Sequence, residues 1–241
     1  MSIRRSPQFR KSPDGTRIPA VNVFPTTQAV EIEAEEMIVK GILEIPPNAK
    51  SIIVFAHGPG RSCLSPRNRL VARSLLQKGF AVLLPDLADP DEDSSDSASL
   101  QDPAYIARIA NRLISIIDWL TENPKTRNLR IGLFGARTGA AGAMIAAANR
   151  PSLVRAVISR GGRPDLAEDF LQHVQAPTLM IVGGKDSAHI DHNRHACGKM
   201  HDRPMLELMD GANHLFAEPG MIEKVASMSY LWYQRNMAMC S

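Results

Sequence analysis

From residue 50 onward the chain alternates between short continuous apolar runs and longer stretches with an apolar residue every three or four positions. The runs "SIIVFAHG" (51–58), "FAVLLPDL" (80–87), "LRIGLFG" (129–135), "VRAVISRGG" (154–162), "PTLMIVGGKD" (177–186) and "PMLELMDGANH" (204–214) predict strands, and a continuous run such as 51–58 fits a strand buried on both faces. Between them, "SPRNRLVARSLLQKG" (65–79) predicts a helix, with Ser65 as N-cap, Pro66 at the first helical position and Gly79 as the stop. Ile106, Ile109, Leu113, Ile116, Ile117 and Leu120 recur at helical spacing and predict an amphipathic helix ending near Leu120. Further helices are predicted over "TGAAGAMIAAANR" (138–150), "DLAEDFLQHV" (165–174), 192–200 and "PGMIEKVASMSYLWYQRNM" (219–237). Residues 20–47 alternate polar and apolar like an antiparallel hairpin at a sheet edge. The acidic, Ser-rich segment 88–103 shows no periodicity and is the one candidate for a partial lid. Repeated strand–helix units require right-handed crossovers, which predicts an α/β fold: a mostly parallel central sheet with helices on both faces.

Composition narrows the class without changing that picture. A chain of 241 residues, 44% hydrophobic and 22% charged, suits one globular domain, taken here as 21–241. Residues 1–20 read as a basic, flexible tail: five Arg/Lys against one Asp carry +4 of a net +3, leaving about −1 over the rest. The basic pI therefore comes from the tail and not from a basic face, which argues against nucleic acid as a partner. No apolar run approaches the roughly 18 residues of a membrane span, so no membrane partner is expected. Three cysteines (Cys63, Cys197, Cys240) with no close-set pair argue against a disulfide framework and fit a reducing, cytoplasmic setting.

In open parallel sheets, ligands bind beyond the carboxyl ends of the strands. Those positions hold His57-Gly58-Pro59-Gly60, Asp86, Gly135-Ala136-Arg137, Arg160-Gly161-Gly162, Asp186 and His214. A tight Gly-flanked turn, then an acid, then a histidine is the chain order of an alpha/beta-hydrolase triad. Here "FAHGPGRSCLSPRNRLVA", "GLFGARTGAAGAM", "VRAVISRGGRPDLA", "APTLMIVGGKD" and "GANHLFAEPG" together resemble the dienelactone hydrolase branch of the alpha/beta-hydrolases, in particular small proteins without a cap domain. The resemblance implies that Asp186 is the triad acid and His214 the general base. It implies an oxyanion site made by the backbone N–H of Thr138 and the loop at Gly58, Pro59 and Gly60, with Cys63 on the same loop. It implies hydrolysis of small carboxylic esters, lactones or related acyl substrates, with no cofactor.

The pattern departs from the family at Arg137, where the resemblance calls for serine. A guanidinium stays protonated and cannot be activated as a nucleophile, so ordinary serine chemistry is expected to be lost or strongly weakened. Ser62, Cys63 or a water activated by His214 could stand in for it. Arg137 itself could plug the site by pairing with Asp186 or another pocket carboxylate, could mark simple inactivation, or could join the helix N-terminus and Arg163 in binding an anion. The alternative to a silenced hydrolase is thus a non-catalytic relative holding an anionic small molecule or a protein partner in the old pocket. The pattern fixes no oligomeric state. The His-rich segment 186–201 (His189, His192, His195, His201) reads as an exposed helix edge with no metal, although His192 and His195 would share a face. Met221, Met228 and Met237 read as packing residues.

Overall fold

The computed structural model describes residues 24–35, 37–57, 65–88, 101–202 and 204–237, together with the backbone of 9–11 and 17–19. Within the N-terminal stretch, β1 (Phe9–Lys11) pairs antiparallel with β2 (Arg17–Pro19). The main sheet has eight strands: β3 (Thr26–Ala34), β4 (Met37–Ile45), β5 (Ser51–His57), β6 (Ala81–Pro85), β7 (Arg130–Ala136), β8 (Val154–Arg160), β9 (Thr178–Gly183) and β10 (Met205–Met209). Their spatial order is β10-β9-β8-β7-β5-β6-β4-β3. The strands from β5 to β10 run parallel, and the β3–β4 hairpin closes one edge antiparallel to β6, as its alternating pattern predicts.

Helices cover both faces. On one, α1 (Pro66–Gln77) and α5 (Met221–Asn236) bury Val71, Leu75, Val225 and Tyr233 against Ile53, Phe55, Phe134 and Ile158. On the other, α2 (Pro103–Glu122) and α3 (Gly139–Asn149) pack Ile109, Leu113, Ile117, Met144 and Ala147 against Val54, Leu133 and Val157. The even- and odd-numbered residues of a central strand thus enter two different cores, which is why those strands read as unbroken apolar runs. Ser65 caps α1 as expected, its hydroxyl accepting from the Asn68 amide at 3.5 Å. Among the described residues no helix is long and apolar enough to cross a membrane.

Two predicted elements differ. The segment 165–174 is not an α-helix but a 3₁₀ segment, Pro164–His173, broken by left-handed backbone at Glu168 (φ 48°). The break falls between Ala167 and Leu171, both of which still reach the core. Helix α4 spans Ser187–Lys199 and so begins five residues before the expected start. Asp186 supplies its N-cap, accepting from the His189 amide at 3.1 Å.

The turn from β7 into α3 brings backbone against backbone. A Cβ at Gly139 would lie 2.6 Å from the backbone of Ala56 and His57, and one at Gly135 would lie 2.5 Å from the Ala140 Cα. Backbone cannot yield as a flexible side chain would. Gly139→Ala should therefore lower stability by at least about 1–3 kcal/mol, measured as a drop in the urea midpoint with an unchanged m-value.

Candidate active site

The chain leaves β5 toward β6 on one side and returns to β7 on the other, so the carboxyl ends of β5 and β7 flank the point where strand order reverses. In register there, His57 lies beside Ala136, and Ala136 beside Arg160. The next residue, Arg137, is exposed and takes left-handed backbone (φ 54°). For a side chain of this size such a conformation costs about 1–2 kcal/mol and is held by what surrounds it. The Arg137 carbonyl accepts from the amides of Ala140 (3.1 Å) and Arg163 (3.0 Å), which ties the turn to both α3 and the segment after β8. Thr138 is the N-cap residue of α3, and its side chain makes no capping bond. Among the described residues its backbone N–H has no acceptor, and its hydroxyl is buried without a partner.

Asp186 and His214 come from separate loops that are laced together. Gly184 N–H donates to the Met209 carbonyl (2.9 Å) and Lys185 N–H to the Ala212 carbonyl (3.0 Å), drawing the β9 exit against the β10 exit. His214 Nδ1 then lies 2.9 Å from Asp186 Oδ2. The Asp186 side chain is 20% exposed and that of His214 is 40% exposed, so one is held and the other opens to solvent. Asp186 makes both contacts at once: Oδ1 caps α4 while Oδ2 faces the His214 imidazole. Its carboxyl is raised by burial, but the His189 amide, the His189 ring and the charges on His189 and His214 outweigh that and hold it below the ordinary value of 3.8.

His189, expected on an idle helix edge, is part of this cluster. Its Nδ1 lies 3.0 Å from Asp186 Oδ2, at an angle too poor for a hydrogen bond, and its ring stacks on His214 with centroids 4.9 Å apart and planes 3° from parallel. The signal was present as Asp-x-x-His at a helix start, where residues three apart face the same way. Donor atoms of Asp186, His189 and His214 lie within 4.8 Å of one another, the spacing of a metal site. However, a ring nitrogen offers its lone pair in its own plane, and stacked parallel planes do not meet. One ion cannot take both imidazoles without turning a ring. His192 meets His189 edge-on at 6.2 Å, His195 is exposed, and neither joins a metal-type cluster among the described residues.

The turn at Gly161 and Gly162 bridges the two halves of the site. A Cβ at Gly161 would meet the His214 carbonyl, and one at Gly162 would lie 3.3 Å from the Arg137 carbonyl. Arg137, Thr138, Asp186 and His214 are thus gathered at one edge of the sheet. Gly58, Pro59, Gly60, Ser62 and Cys63, and most of the acidic segment 88–103, lie outside the described residues. Two expectations about arginines are corrected. Arg137 does not pair with Asp186, whose partners are His189 and His214, and among the described residues it forms no ion pair. Nor is Arg163 free to bind an anion, because Asp165 engages it through three contacts of 2.7–3.1 Å. A buried arginine beside this turn is instead Arg160, the last residue of β8, which the sequence pattern leaves without a role.

A carboxyl held below its ordinary value stabilises the fold above the unfolded pKa, near pH 4, and loses that contribution as pH falls through the lower folded value. Asp186→Asn keeps an N-cap acceptor and removes the charge. The stability gap between native protein and this variant should close progressively as pH falls below about pH 4, read from urea midpoints across pH.

Against known proteins, residues 39–238 match the model of the dienelactone hydrolase family. Two Mycobacterium tuberculosis proteins with the provisional name phosphoribosyl transferase are 45% identical over 206 residues, 86% of this chain but 46% of theirs, so the chain spans about half the length of those relatives. The crystal structure of a dienelactone hydrolase from Anabaena variabilis superposes with a TM-score of 0.82 at 45% identity, covering 88% of this chain and 98% of that one. Est1E from Butyrivibrio proteoclasticus shares the fold at a TM-score of 0.72 and 16% identity, covering 88% and 99% of the two chains. The sheet order, the site at the strand-order reversal and these likenesses agree: this chain has the alpha/beta-hydrolase fold and belongs to the dienelactone hydrolase family.

Proposed function

We propose that this chain is a hydrolase scaffold for small carboxylic esters or lactones whose serine chemistry is disabled at Arg137, with the acid–base pair Asp186–His214 left standing. One observation carries the reading. The residue held in left-handed backbone between β7 and α3, where the family pattern puts its nucleophile, is a permanent cation at the edge that also holds a 2.9 Å Asp–His contact.

In an intact site of this kind His214 would take the proton of a serine hydroxyl, and Asp186 would hold the imidazole in one tautomer and stabilise the imidazolium. The Thr138 N–H, which has no acceptor among the described residues and lies at the N-terminus of α3, would face the oxyanion of the tetrahedral intermediate. Arg137 offers no hydroxyl and no proton that His214 can remove. Among the described residues no neighbour replaces it. The Thr138 hydroxyl is buried. The Cys197 thiol is pushed up by burial and donates to the Met180 sulfur at 3.6 Å, which is the reverse of an activated nucleophile. The transferase name of the mycobacterial relatives belongs to chains about twice as long, and we assign the hydrolase scaffold to the half that this chain matches.

Arg137→Ser should gain hydrolysis of short-chain nitrophenyl esters, with kcat/KM at least about 10³-fold above that of the native chain. Adding His214→Ala to that variant should remove the gain. Turnover by the native chain that depends on His214 would overturn the proposal.

A further inference from the structure

Arg160 is the last residue of β8, next in register to the residue before Arg137, and it is 5% exposed. A buried guanidinium is ordinarily matched by a carboxylate, because leaving one charge alone in the interior costs several kcal/mol. Ion pairs are made by Arg150, Arg163, Arg194 and Lys199, while Arg160 makes none among the described residues. Among the described residues its guanidinium makes one hydrogen bond, a long one from Nη2 to Asn68 Oδ1 at 3.4 Å, and it lies 5.9 Å from the Phe216 ring centroid. Arg160 Nε and Asn68 Nδ2 are both buried donors with no acceptor among the described residues.

The surroundings deepen the imbalance. Arg67, half-buried in the first turn of α1, and Arg137 both sit close enough for their charges to act on Arg160, and together with burial, the larger effect, they lower its pKa to about 10. Both α1 and α3 begin at this edge, and neither carries an acidic residue in its first turn, where a helix favours negative charge. Three cations, unfilled donors and two helix N-termini therefore converge with no carboxylate among the described residues to balance them.

We propose that Arg67, Arg137 and Arg160, with Asn68, form a receptor for the phosphate group of a small molecule. This deepens the preceding reading, since it gives Arg137 a task that a nucleophile could not share. A phosphate monoester suits the site better than a carboxylate does. It carries nearly two charges against three cations, and its oxygens point in three directions rather than lying in one plane, so separate guanidiniums can each take a pair of bonds.

The test titrates the full chain with inorganic phosphate, and separately with acetate, at constant ionic strength near pH 7.5, by calorimetry and by thermal melting. Saturable phosphate binding that raises Tm is expected, with acetate at least about tenfold weaker. Arg160→Gln should abolish binding. In case that buried change impairs folding, Arg67→Gln and Arg137→Ser alter more accessible positions, and each should weaken phosphate about tenfold or more while far-ultraviolet dichroism stays native. Absence of saturable phosphate binding, unchanged affinity in both accessible variants, or acetate binding as tightly as phosphate would each overturn the receptor. The two proposals fail separately. An Arg137→Ser variant that never hydrolyses esters while the native chain binds phosphate would sink only the silenced-hydrolase reading.

Discussion

The backbone of α3 lies against the end of β5 with no side chain between them, and the arrangement of the whole carboxyl edge depends on that contact. Gly139 rests on Ala56 and His57 at a distance no Cβ could occupy, and Gly135 does the same beneath Ala140. With α3 drawn in so far, the connecting residue has little choice but left-handed backbone, and Arg137 adopts it. The strain is local and is met by a rigid frame: two amides on the Arg137 carbonyl and a helix whose first nine residues, Gly139 to Ala147, are all buried. A turn built this way presents whatever side chain occupies its apex, so the scaffold and the chemistry can change independently.

Asp186 is the second fixed point, and it shows how one carboxylate can hold two elements at once. One oxygen is committed to the start of α4 and the other to an imidazole. The cap orients the carboxylate, and the amide and ring of His189 hold it ionised. His189 does more than crowd the pair, since its stacked ring limits how far the His214 imidazole can swing. A histidine so restrained keeps its contact with Asp186 without help from a bound substrate.

Much of this was legible in the sequence, for reasons that lie in particular residues. The central strands are flanked by helices on both faces, so they appear as unbroken apolar runs, and the Gly-x-Arg-x-Gly turn between one run and a small-residue helix marks the close approach. The β3–β4 hairpin is exposed on one face and alternates accordingly. What failed was less regular. Helix α4 buries only Asn193 and Ala196, so it has no apolar stripe to mark its first turns, and only the cap at Asp186 fixes its start. The segment Pro164–His173 has the periodicity of a helix but breaks at Glu168, a backbone event with no sequence signal in a glutamate. Arg160 carries the weakest sequence signal. An arginine at the end of a strand usually reaches solvent, and the packing of α1 that buries this one is a long-range contact 92 residues away.

The arginines also bear on why the site holds a cation at all. In an intact hydrolase site a single buried guanidinium next to the oxyanion region could be balanced as negative charge develops on the substrate. Here Arg160 is buried whether or not chemistry occurs, and Arg137 adds a second cation at the apex of the neighbouring turn. Were Arg137 only a lesion, selection for stability would favour a small neutral residue, because a non-glycine in left-handed backbone and a cation at a helix N-terminus are each unfavourable. The combination becomes sensible once an anion is present, since one bound charge of about −2 relieves the repulsion between the arginines, fills the orphaned donors of Arg160 and Asn68, and satisfies the starts of α1 and α3 together.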